Sequence, residues 1–204
     1  FMESQGSGIQ VLMTARLAIE LGCPILAILA ATNTAMDREG RSIPAPGQGI
    51  LTTARRVLGG EAVPRTLCLE YRLQALRQER ELLKQWLESQ LASTDPSRQM
   101  DLQGEAERRL KALKRFWGHE WNLQDDRIAP LEAALASFGL SVDDIGIASF
   151  HGTGTKANDP NESHVVQQQL VHLGRSPGNM LPVICQKYLT GHPKGAAGAW
   201  MING

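Results

Sequence analysis

The sequence predicts an α/β fold interrupted by a helical hairpin. Three observations carry that prediction. Short apolar runs that suit strands alternate with helix-like segments in residues 1–65 and again in 123–204. Between them lies a stretch whose leucines recur at helical spacing among arginine and glutamate. Two of the strand-like runs lead into a histidine flanked by glycine and threonine, in His151-Gly-Thr-Gly-Thr155 and Lys187-Tyr-Leu-Thr-Gly-His192.

In chain order, residues 7–13 suit a strand and 14–21 a helix that Gly22 stops. Residues 24–31 are a β-compatible run expected to be buried on both faces. Glycine, proline and polar residues make 33–49 a loop whose turns Pro44-Ala-Pro-Gly47 fixes, and 49–58 reads as a short helix. From 67 to 92, Leu69, Leu73, Leu76, Leu83, Leu87 and Leu91 mark one amphipathic helix. Ser93-Thr-Asp-Pro-Ser97 breaks it, and Leu102, Ala106, Leu110, Leu113 and Trp117 mark a second. The pair reads as a helical hairpin over 66–122, inserted between the segments 1–65 and 123–204. Residues 127–138 read as a helix ended by Gly139, with Ser141-Val-Asp-Asp as a following cap. A strand over 145–150 delivers His151. The next helix, 158–173, carries Asp159 and Glu162 in its first turn, where negative charge is favoured. A strand over 181–187 ends at Lys187 and leads to His192, and 194–203 is a helix opening with Gly195-Ala-Ala-Gly-Ala199.

Composition narrows the function classes. The chain of 204 residues is long enough to bury a core in one domain or two. Lysine and arginine number 21, as do aspartate and glutamate, so the net charge is zero. That argues against nucleic acid and against an anionic membrane surface as partners. The longest apolar run, 23–31, is about half of what a bilayer requires, and residues 1–4 do not read as a secretory leader. Three widely spaced cysteines, Cys23, Cys68 and Cys185, do not suggest a disulfide framework, so a reducing, cytoplasmic setting is expected. The two ends read as cuts within a longer polypeptide.

The candidate chemistry gathers at the strand ends, the edge where open α/β folds bind ligands. Neutral His151 and His192 can each donate one N–H to a developing oxyanion; the structural alternative is a pair of satisfied histidines. Lys187, if it points inward, needs a carboxylate partner, for which Glu162 and Asp159 are at hand, or must lose its charge. Its alternative is a solvated lysine at a strand end. Thr153 and Thr155, set between glycines, can bond amides along a narrow ligand or simply bond the local backbone. The run 195–199 gives a helix that packs closely, or one whose N-terminus faces a thioester or carboxylate. The cysteines read as buried apolar side chains, with Cys185 the least unsuitable nucleophile but hidden in a strand. Gly6-Ser-Gly8 lacks the rest of a dinucleotide fingerprint, no spacing fits a zinc site, and Asn161-Glu-Ser163 is read as a chance glycosylation match.

Two longer motifs carry a resemblance. His151-Gly-Thr-Gly-Thr-Lys-Ala-Asn-Asp-Pro-Asn-Glu162 and Lys187-Tyr-Leu-Thr-Gly-His-Pro-Lys-Gly-Ala-Ala-Gly198 resemble the two histidine motifs of β-ketoacyl synthases, the condensing enzymes of the thiolase superfamily. Lys156-Ala-Asn158, Pro193-Lys194 and Gly40-Arg-Ser-Ile-Pro-Ala-Pro-Gly-Gln-Gly-Ile-Leu-Thr-Thr-Ala54 are similar to the fungal type I fatty acid synthase α class, and so is the inserted hairpin. The resemblance implies the C-terminal half of a thiolase-like layered fold. It implies decarboxylative condensation of a malonyl-carrier thioester with an enzyme-bound acyl thioester. His151 and His192 would hold the malonyl thioester oxygen, Lys187 would act electrostatically with Glu162 as partner, and Thr153 and Thr155 would contact the phosphopantetheine arm of an acyl carrier domain. No cofactor is implied for this segment itself. The implied partners are the rest of the ketosynthase domain, the carrier domain, a second ketosynthase copy and the other synthase subunit.

One departure matters. The family's nucleophilic cysteine precedes a segment like Phe1-Met-Glu-Ser-Gln-Gly, and none of the three cysteines has that context. The chain is therefore expected to lack its nucleophile and to condense nothing alone. Two alternatives remain open: a related subunit that makes a short acyl starter for polyketide synthesis, and a hairpin that serves assembly alone.

Overall fold

The computed structural model describes residues 2–32, 64–121, 125 and 127–204, without the side chain of His119. The expected loop over 33–49, the helix over 49–58 and the motif from Gly40 to Ala54 lie outside the described residues. The chain forms two compact units, Phe1–Ala54 with Val142–Gly204, and Arg55–Ser141.

The second unit is helical. α2 (Leu69–Ser93) and α3 (Gln99–Arg115) form the expected hairpin, packed against one another. Their connection is a single turn, Pro96–Arg98, capped by Asp95, whose Oδ1 accepts from the Ser97 amide at 2.9 Å and its hydroxyl at 2.7 Å. The pairing is antiparallel. Trp117 Nε1 donates to Glu79 at 3.0 Å, while the Arg109 guanidinium lies 4.1 Å above the Trp86 ring, so the chain climbs α2 as it descends α3. Beyond α3 the backbone widens into a π-turn over Phe116–Glu120. There Trp121, Ile128, Ala133 and Ala136 form a small core with Leu67 and Phe116.

Arg72, 2% exposed, spans this base. It donates to the carbonyls of Trp117 and Ala136 and lies 4.8 Å over the Trp121 ring. A cation at the last-turn carbonyl of a helix is favourably placed. That helix, α4 (Pro130–Ser137), lies in the same compact unit as the hairpin.

The first unit starts with α1 (Ala15–Glu20), capped by the Thr14 hydroxyl, which accepts from the Leu17 amide at 3.2 Å. The strands expected over 7–13 and 24–31 are absent, and the second run is far from buried; Leu26 is 93% exposed. An apolar run becomes a strand only beside a neighbour that takes its backbone hydrogen bonds, and the described residues offer it none.

The remaining elements surround the histidine motifs. β1 (Ala148–Ser149) pairs in parallel with β2 (Val183–Ile184), in the register Ala148↔Val183 and Ser149↔Ile184. α5 (Asp159–His172) makes the crossover between them. Asp143 ties the connection after α5 to the segment before β1, accepting from the Ser176 amide at 2.8 Å and hydroxyl at 2.6 Å.

Both strands are shorter than the sequence suggests. Lys187 does not end a strand: it sits in α6 (Gln186–Thr190), with Cys185 as its N-cap residue instead of an interior strand position. α7 (Ala197–Asn203) follows a 3₁₀ turn over Lys194–Ala196. The segment Gly6-Ser-Gly8 crosses α7 so closely that a Cβ at Gly6 would lie 2.0 Å from the Trp200 ring, and one at Gly8 would lie 2.7 Å from the Ala199 Cβ. Trp200 Nε1 donates to the Ser7 carbonyl at 3.0 Å. The small residues on both sides of this crossing serve close approach.

Candidate active site

His151 leaves the end of β1, and α6 starts at the same end of β2, so parallel pairing delivers both histidine motifs to one edge. Between β1 and α5 the loop 151–155 is folded back by the first turn of α5. Glu162 Oε1 accepts the His151 amide at 2.7 Å and Oε2 the Gly152 amide at 3.0 Å. Asp159 Oδ1 accepts the Thr153 amide at 3.1 Å. Asn158 bridges the two carboxylates through Nδ2, at 3.0 Å to Asp159 and 3.1 Å to Glu162. Sequence reading gave Asn158 no role; its place beside the acidic first turn is the signal that could have found it.

Gly152 takes φ +45°. A Cβ there would meet the Cys185 Cβ at 2.6 Å, and one at Gly154 would meet Tyr188 Cδ2 at 2.7 Å. The two glycines are therefore filled against α6 by other side chains, and they do not leave a channel open.

His192 is held differently. Gly191, at φ 79° and ψ 173°, occupies a region essentially restricted to glycine. It turns the chain out of α6 into a bridge with the first residues: the His192 amide donates to the Met2 carbonyl at 2.8 Å, and the Ser4 amide donates to the His192 carbonyl at 3.1 Å. Lys194, at φ 51°, presents its own amide to His192 Nδ1 at 3.0 Å, and its ammonium pairs with Glu3.

The two imidazoles meet, with ring centroids 5.1 Å apart and planes at 73°. Lys187, 3% exposed, reaches His151 with its ammonium, 3.0 Å from Nδ1 and 3.0 Å from the carbonyl oxygen. Ammonium protons only donate, so His151 Nδ1 accepts. His192 Nδ1 accepts from an amide. With each Nδ1 accepting, a ring that carries a single proton carries it on Nε2. The 5.1 Å centroid spacing places the two imidazoles side by side at one edge of the sheet.

Burial lowers the His151 pKa, helped by the Lys187 charge and opposed by Glu162. Burial also lowers that of Lys187, against the raising effect of Glu162. The expected Lys187–Glu162 pairing thus takes another form: Glu162 acts through its charge, while its oxygens hold the 151–152 backbone. Thr153, buried, shares a 3.0 Å hydroxyl contact with Thr155, whose oxygen accepts the Asn158 amide at 3.3 Å. Cys185 adjoins the site, but burial first, then Glu162 and Asp159, push its thiol pKa up, the opposite of what a nucleophile needs. Among the described residues no group of three or more His, Cys, Asp or Glu can hold a metal ion.

Residues 122–202 match the family model described as beta-ketoacyl synthase, C-terminal domain. All of the chain aligns with the fatty acid synthase subunit alpha of Lachancea kluyveri at 51% identity over 220 residues, and with that of Saccharomyces cerevisiae at 48% over 220 residues. The subunit from Schizosaccharomyces pombe is 46% identical over 223 residues. The chain spans 12% of the length of each. Residues 122–202 are thus similar to the β-ketoacyl synthase C-terminal domain, within a chain that is similar throughout to one segment of fungal fatty acid synthase α subunits.

Proposed function

We propose that this chain carries the malonyl-handling side of a 3-oxoacyl-[acyl-carrier-protein] synthase site and acts in fatty acid elongation within a cytoplasmic, multifunctional synthase. The observation that carries the reading is the meeting of the His151 and His192 rings, 5.1 Å apart, with Lys187 against His151 Nδ1 and the Lys194 amide against His192 Nδ1. In the proposed reaction the malonyl C–CO₂ bond breaks and CO₂ departs. Its electron pair passes into the thioester enolate, whose oxygen the two imidazoles hold. The enolate carbon then attacks an acyl thioester on a cysteine; a C–C bond forms and the cysteine leaves as thiolate. That cysteine is proposed to come from outside these residues, in a completed thiolase-like layered domain, because burial and the nearby carboxylates push the Cys185 thiol pKa up.

Thr153 and Thr155 suit the phosphopantetheine arm of a carrier domain. Whichever hydroxyl donates in their mutual bond, the other keeps a proton to offer an amide carbonyl. The test of the whole reading is Lys187→Ala in the intact synthase, measured as CO₂ release from a malonyl thioester. A fall of at least about tenfold is expected, since a charge-assisted bond to His151 is lost; an unchanged rate overturns the reading.

The pH dependence follows from the two pKa directions. Protonating His151 would remove the lone pair that Lys187 donates to and add a second positive charge. With the His151 pKa held below its ordinary 6.5, that loss is deferred to more acid pH. The acid limb of decarboxylation is expected below pH 6.5, and the alkaline limb below the ordinary lysine value of 10.5. A pH–rate profile of the intact synthase checks both limbs.

A further inference from the structure

Lys187 has an uncommon set of partners for a buried ammonium, which ordinarily pairs with a carboxylate. Here Asp159 and Glu162 are occupied by the amides of 151–153 and by Asn158. The ammonium instead reaches His151 Nδ1 and the His151 carbonyl, each at 3.0 Å, and lies in close contact with the Met201 sulfur. An ammonium has three donors, and this set uses all of them. We infer that Met201 is a positioning residue for the condensation chemistry: its thioether takes the third proton of Lys187 and so aims the other two at His151. The inference rests on the function proposed above.

A thioether suits this place better than its neighbours in chemistry. A carboxylate would form a full ion pair and draw Nζ away from the imidazole. A hydrocarbon would leave a buried N–H unpaired. Sulfur is a weak, polarizable acceptor, able to satisfy the third proton without competing for the other two. The helix that carries Met201 is tied to the first residues on both sides of it. Met201 lies in α7 between Trp200, bonded to the Ser7 carbonyl, and Asn203, whose Oδ1 accepts from Gln10 at 3.2 Å.

The test uses the intact synthase with Met201→Leu, which removes the acceptor at similar volume, and Met201→Gln, which restores an acceptor oxygen. Met201→Leu is expected to lower kcat for malonyl decarboxylation about five- to tenfold with KM changed by less than about twofold. Its alkaline limb moves to lower pH, because the charged lysine has lost an acceptor. Met201→Gln is expected to bring kcat back to within about threefold of the parent and to move the limb back. An unchanged kcat in Met201→Leu overturns the inference, as do equal losses in both variants with no movement of the limb. In a Lys187→Ala background, Met201→Leu should add nothing, and a further fall of the same size also overturns it. His192→Ala is measured alongside: if that substitution leaves decarboxylation intact, the functional reading has failed, whatever Met201 does.

Discussion

The substitution His192→Ala, made in the intact synthase, is expected to slow malonyl decarboxylation by about a hundred- to a thousandfold. The magnitude is that of deleting one preorganised donor from an oxyanion site. His192 can fill that role because its geometry is fixed before substrate arrives. Its backbone is pinned on both sides by Met2 and Ser4. Its Nδ1 lone pair is engaged by the Lys194 amide at 3.0 Å, which leaves the ring proton on Nε2. His192→Gln keeps an amide donor of similar reach and an oxygen for the Lys194 amide, so it should retain about tenfold more activity than His192→Ala. His151→Ala should fall at least as far, since it also removes the Nδ1 that Lys187 donates to. The assay is CO₂ release from a malonyl thioester, which does not require the acyl-loaded cysteine. Near-normal rates in both alanine variants would sink the assignment of these histidines.

Much of the site was legible in the chain because it depends on local spacing. His151 and Glu162 stand eleven residues apart, with a helix start between, so the carboxylate at the fourth helical position can fold back on the loop before it. The five-residue step from Lys187 to His192 spans one short helix and its glycine stop. What the sequence misplaced was the state of Lys187 and Cys185: the apolar run 181–184 suggested a longer strand, yet only Val183 and Ile184 find a paired neighbour in β1. Helix over strand at 186–190 is a tertiary outcome, since placing Lys187 there lets its ammonium meet His151 across 36 positions. The same limit explains residues 24–31. Apolar content alone cannot report whether a partner strand lies alongside, and their exposure in the first unit reflects that. The hairpin was the easiest element to read, because α2 and α3 carry their own helical period and a capped break between them. Met201 was invisible for the opposite reason. Its contact with Lys187 depends on how α7 packs, and nothing local in Gly195-Ala-Ala-Gly-Ala199 announces it.

Glu162→Ala is the change expected to act most broadly, because one carboxylate holds three groups in place. It accepts the His151 amide at 2.7 Å, the Gly152 amide at 3.0 Å and the Asn158 side chain at 3.1 Å. Losing it strands the buried Gly152 N–H, at about 1–3 kcal/mol, and frees the exposed His151 amide to water, in a loop where Gly152 already takes φ +45° against Cys185. It also removes negative charge from the first turn of α5, worth about 0.3–1 kcal/mol, and the field that favours charged Lys187. The expected result is a lower thermal midpoint of the domain together with a decarboxylation rate reduced about a hundredfold or more, through displacement of His151. Glu162→Gln separates this positioning role from a direct part in proton transfer. Glutamine keeps one acceptor oxygen, so it should recover part of both the stability and the rate. A direct proton-transfer role predicts instead that Glu162→Gln matches Glu162→Ala in rate while unfolding like the parent. Parallel measurement of thermal unfolding and CO₂ release on the two variants decides between them, and the second pattern would overturn the positioning role assigned to Glu162.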